Sequence, residues 1–136
     1  MAAPGVRIGI ELECLLTERY VSETTPLDLE TFAERLVHFY NNWVGPNHPK
    51  MHSDIDGMYD GLDVLNEWSI TDDVTIATDS PRQYPIEIVS PMLLFRPEST
   101  WRGDVTLLFD NLDASCKINT NQSCGTHVRS YLPTRR

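Results

Sequence analysis

The chain is short of several things, and each shortage excludes something. Only three of its 136 residues are cysteine, Cys14, Cys116 and Cys124. The number is odd and no C-x-x-C spacing occurs, so neither a disulfide framework nor a zinc site is expected. The thiols read as those of an intracellular, cytoplasmic protein. Basic residues are also few: 11 Lys and Arg against 20 Asp and Glu leave a net charge of −9. Nucleic acid and anionic membranes both reward lysine and arginine, so neither is the expected partner. No apolar run approaches the ~20 residues needed to cross a bilayer, and the start "MAAPGVRIGIELECLL" has no secretory-signal pattern. Without such a signal, Asn121-Gln122-Ser123 reads as a chance glycosylation match. Repeats, low-complexity tracts and convincing linkers are missing too, so a single domain over 1–136 is expected.

What is present is patterned. The apolar fraction of 40% and charged fraction of 23% are those of a globular chain. Val6 to Leu16 alternates, with Val6, Ile8, Ile10, Leu12 and Cys14 on one parity and Arg7, Gly9, Glu11 and Glu13 on the other, which predicts a strand with one apolar face. Thr25-Pro26-Leu27-Asp28 reads as a helix start, with Thr25 as cap and Asp28 as capping-box acid. Leu29, Phe32, Leu36, Phe39, Tyr40 and Trp43 continue at helical spacing until Gly45-Pro46; His38 falls off this stripe and reads as a surface residue. "NHPKMHSDIDGMYDGLDVLNE" reads as a loop. Its His48, His52, Asp54 and Asp56 invite a metal reading, but there is no helix to align the histidines and no calcium-loop spacing.

Short strands are predicted at 68–70 and 74–77 around a turn at Asp72-Asp73, and another over Tyr84–Val89. A second helix begins at Ser99 or Thr100, with Trp101, Val105, Leu108, Phe109 and Leu112 as its face. Final strands are predicted near Lys117–Asn121 and Gly125–Leu132. The order β-α-β-β-β-α-β-β predicts an α+β fold: a mixed or antiparallel sheet with two main helices packed on one face.

The chemistry sits on the strands. Glutamate is disfavoured inside a strand, yet Glu11 and Glu13 project from one face of the first, about 7 Å apart, where they repel unless water, arginine or a cation intervenes. The bland alternative is a solvated sheet face. Glu87 stands among isoleucines, and His127 lies on the parity opposite Val128. If these strands share a sheet, Glu11, Glu13, Glu87 and His127 line one polar surface. Three carboxylates and an imidazole suit magnesium or manganese.

"IGIELECLL", "WSITDD", "PIEIVSPML" with its tryptophan-led helix, and "NQSCGTHVRS" together resemble, in order and over nearly the whole chain, the blocks of the amidoligase family common in fungi. That family is grouped with carboxylate–amine ligases of the glutamine synthetase fold. The resemblance implies that ATP phosphorylates a small-molecule or peptide carboxylate and that an amine then forms the amide. It also implies that Glu11 and Glu13 face different metal ions, Glu87 joining Glu13 and His127 joining Glu11, with Asp72 or Asp73 at the acidic position of the tryptophan block. The family pattern usually reads T-H-V-H; Arg129 stands at the second histidine, where it can contact a phosphate of ATP but cannot act as a base. Family members continue well beyond the position of Arg136, so the resemblance implies the first half of a catalytic domain. A homodimer or a second chain completing the sheet is then expected, because an open strand edge is a liability. The alternative reading is a ligase-like domain that binds metal without turnover and serves as a partner subunit.

Overall fold

The computed structural model describes residues 5–20, 24–57, 59, 61 and 66–131. Parts of the expected loops at 17–25 and 47–67, Leu132 and the tail to Arg136 lie outside the described residues. Among the described residues the chain runs β1 (Val6–Glu18), α1 (Leu29–Trp43), β2 (Met51–Ser53), β3 (Trp68–Thr71), β4 (Tyr84–Val89), β5 (Leu93–Phe95), α2 (Trp101–Ser115), β6 (Cys116–Asn119) and β7 (Thr126–Tyr131). The architecture is α+β, with seven strands in one mixed sheet and two helices. No described helix is long and apolar enough to cross a membrane.

β1 is the axis. It pairs antiparallel with β4 and β5 along one edge and with β6 and β7 along the other. Beyond β4 lies β3, antiparallel to it, and then β2, parallel to β3. Alternation then sorts the side chains. Ile8, Ile10, Cys14 and Leu16 of β1, Ile86 and Ile88 of β4, and Trp68 and Ile70 of β3 are buried on one face. They form the core with Phe32, Ala33, Leu36 and Tyr40 of α1 and Leu108 and Leu112 of α2. The opposite face is mainly polar, although Leu15 is buried there.

Four local expectations are corrected. Asp28, not Thr25, caps α1: its carboxylate accepts from the Thr31 amide at 2.7 Å, so the helix starts at Leu29. Residues 74–77 form no strand. Asp73 accepts from the Thr75 amide at 2.8 Å and its hydroxyl at 2.6 Å, and this local turn outcompetes the β-branched run. Strand Met51–Ser53 instead lies within the presumed loop, and Leu93–Phe95 adds a further short strand, so four strands rather than three separate the helices. The helix stripes are also narrower than their periodicity implies. Phe39, Trp43 and Phe109 are each about two-fifths exposed, while α2 buries Asp104 and Asn111. Asp104 is held by His48, Nδ1 to Oδ1 at 2.8 Å.

Candidate active site on the polar face

Directly opposed residues on neighbouring strands share a face. One row across the sheet therefore reads His52, Ser69, Val89, Glu11, His127. The next reads Thr71, Glu87, Glu13. Beside Glu13, the Gly125 carbonyl accepts from the Glu13 amide at 3.0 Å. Glu11, Glu13, Glu87 and His127, far apart in sequence, thus stand on one surface, and Arg129 follows two residues along β7.

The centre of this surface is crowded with carboxylates. Oxygens of Glu13, Asp73 and Glu87 lie within 4.8 Å of one another. Burial first, then the charge of Glu11, a proton shared with Asp73 and the charges of Asp73 and Glu13 push the Glu87 carboxyl from 4.5 up to about 7. Asp73 goes the other way, its carboxyl held below the usual range chiefly by the Thr75 hydroxyl and amide. Asp72 has a different job. Its carboxylate accepts from the Asp56 amide at 3.1 Å, tying down the tight 55–57 turn in which Asp56 and Gly57 adopt positive φ. Of the two aspartates, then, Asp73 joins the acidic centre.

At the rim, His127 Nδ1 lies 3.7 Å from Glu11 and 3.9 Å from Glu13, and Arg129 Nε lies 3.7 Å from Glu11. These distances exceed good hydrogen bonds. Both basic side chains are more than half exposed, whereas the Glu13 side chain is 8% exposed. The acids are therefore fixed by the sheet and the bases lean in from its edge strand. Gly125 belongs to this arrangement through its missing side chain, because a Cβ there would come within 3.3 Å of Glu13 Oε1.

A cleft of about 280 Å³ opens beside the acidic centre, lined by Glu11, Ser69, Thr71, Val89, Arg129 and Tyr131 among others. A larger cleft of about 350 Å³ lies by the helices, lined chiefly by apolar side chains such as Phe32, Leu36 and Phe39, and contains none of the acidic cluster. Size alone would favour that cleft; the convergent titratable groups favour the smaller one. Two of the three thiols are removed from such chemistry: burial pushes Cys14 up to about 12 and raises Cys116 as well.

Sequence pattern did not separate Asp73 from Asp72, and it passed over Gly125. The usable signal for Asp73 was register: Thr71 opposes Glu87, and the Asx turn at Asp73-Val74-Thr75 returns the aspartate to the same carboxylates.

No curated protein and no solved structure matches the chain at a significant level. A family model described as "putative amidoligase enzyme" matches residues 4–130, which spans β1 through nearly all of β7 and so the whole acidic centre with His127 and Arg129. The chain belongs to this amidoligase family.

Proposed function

We propose that the chain is an ATP- and magnesium-dependent carboxylate–amine ligase, acting in the cytoplasm on a small molecule or peptide, with its chemistry on the polar face. The observation that carries this reading is the grouping of Glu13, Asp73 and Glu87 oxygens within 4.8 Å, in a chain of an amidoligase family. The donor set fits a hard divalent cation, magnesium or manganese, because all three ligands are carboxylate oxygens. Burial chiefly raises Glu87, and the crowding of carboxylates that adds to it is what a bound cation relieves. Glu13, Asp73 and Glu87 would hold one ion, and Glu11 with His127 offers donors for a second. Such ions neutralise the charge that develops on a transferring phosphoryl group.

The reaction proposed is transfer of the ATP γ-phosphoryl group to the substrate carboxylate, followed by amine attack that expels phosphate and leaves the amide. The chain's own contributions are positional. The cleft beside Glu11 receives the acyl substrate. Arg129 binds a phosphate oxygen with its planar guanidinium and stays protonated throughout. The rigid strands hold the carboxylates in place before substrate arrives. The free cysteines are in keeping with a reducing compartment.

Release of ADP from ATP with magnesium, across a panel of carboxylates with and without amines, tests this. The expected result is amine-stimulated ADP formation that Glu13→Gln lowers roughly 100-fold or more. Turnover indifferent to Glu13→Gln overturns the reading. One observation favours a second reading, a metal-binding subunit without turnover: Arg129 stands where the family pattern has its second histidine. Manganese binding with no ADP release under any combination supports that alternative.

A further inference from the structure

At the far end of the same face, two strands from Glu11, a second polar group is built from residues that the ligase chemistry does not use. His52 of β2 and Ser69 of β3 are directly paired across the parallel ladder. His52 Nε2 is hydrogen-bonded to Ser69 Oγ. On its other side, His52 Nδ1 meets Glu67 Oε1 at 3.1 Å. The imidazole is buried, and its plane is fixed by Tyr59, stacked at 3.6 Å between ring centroids and 10° between planes. Tyr59 is itself anchored by its amide donating to Asp54 at 3.0 Å. The order of contacts decides the tautomer. A carboxylate at Nδ1 accepts the ring N–H, which leaves Nε2 as the acceptor for the serine hydroxyl. Hydroxyl, Nε2, Nδ1 and carboxylate then stand in the arrangement that makes a serine nucleophilic.

One feature separates this from a buried histidine merely satisfying its hydrogen bonds. Ser69 lines the 280 Å³ cleft, so this residue borders a space that a ligand can enter.

We propose that Ser69, His52 and Glu67 form a nucleophilic triad opening into the cleft, with carboxylic esters or amides as its substrate class. Ser69 Oγ forms a bond to the acyl carbon while its proton passes to His52 Nε2. The C–O or C–N bond to the leaving group breaks, and that group departs with the proton from His52. Water then attacks the acyl-serine, giving its proton to Nε2, and the carboxylic acid leaves as Ser69 recovers its proton. Glu67 holds the imidazole and answers its transient positive charge.

The test uses the purified full chain and a fluorophosphonate probe, which reacts preferentially with an activated serine hydroxyl by forming a P–O bond and losing fluoride. Labelling is run in EDTA without nucleotide, so failure of the ligase reading leaves it unaffected. The expected result is a single adduct on the peptide containing Ser69, absent in Ser69→Ala. The rate should fall about 100-fold in His52→Gln and about tenfold in Glu67→Gln. Glu67→Gln is the arm to rely on if the buried His52→Gln does not fold. No adduct at Ser69 in protein shown by circular dichroism to be folded overturns the proposal, and so does a labelling rate unchanged by Glu67→Gln.

Discussion

Two polar clusters share one face of this sheet, and they are built on opposite terms. The central one, Glu13, Asp73 and Glu87, is a gathering of like charge. The basic side chains that approach it, His127 and Arg129, stand at 3.7–3.9 Å from Glu11 and Glu13 and are mostly in water. The end cluster, Ser69, His52 and Glu67, is closed: each donor has an acceptor, and the ring between them is stacked and buried. The difference is informative. A cluster that raises a carboxyl to about 7 is short of positive charge and points to something bound. A closed chain lacks nothing electrostatically, and its chemistry lies in moving a proton along it.

Substitutions should therefore change stability with opposite signs in the two clusters. The largest effect is expected at the closed chain. His52→Gln leaves Ser69 and Glu67 without their partner and removes the stack on Tyr59, so equilibrium denaturation should show a loss of about 1–3 kcal/mol. A neutral result would mean that the chain is not closed.

In the acidic centre the sign reverses. The folded state holds the Glu87 proton more tightly than the unfolded chain does, because the carboxyl rises from 4.5 to about 7. Its contribution is therefore fully present below pH ~4.5 and is lost as pH rises through about 7. The group is only partly buried, so the full linkage value is discounted for solvent screening to about 1–2 kcal/mol. Metal-free Glu87→Gln should be more stable than the parent at pH 8 by that amount, and the difference should vanish near pH 4.5. A difference that grows on acidification would contradict the assignment.

The smallest change in stability is expected at the seam between acids and rim. Gly125→Ala places a Cβ 3.3 Å from Glu13 Oε1. Stability should change by less than about 1 kcal/mol, while divalent affinity, followed by calorimetry, should weaken several-fold as Glu13 is displaced.

What could be read in the sequence followed from how local each cause was. The alternation of β1 and β4 is strong enough to sort Glu11, Glu13 and Glu87 from the isoleucines, and pairing His127 with Glu11 needs only that β7 join the same sheet. The α+β class follows from the same patterns. The end cluster was illegible for a physical reason. β2 has three residues in a segment rich in glycine and acids, and it becomes a strand only through its parallel partner β3. His52 therefore looked like half of a loop pair with His48, while the structure sends His48 to Asp104 and His52 to Ser69. At 74–77 the error ran the other way, because β-branched residues imitate a strand and side-chain hydrogen bonds to Asp73 decide against it.

Titration of the metal-free protein with manganese near pH 7.5, followed by the paramagnetic resonance of the free ion, tests the central claim most directly. The account predicts saturable binding that weakens at least tenfold in Glu13→Gln and in Glu87→Gln and is untouched in Ser69→Ala. Manganese that stays free in the parent protein, or that binds equally well without Glu13 and Glu87, contradicts it.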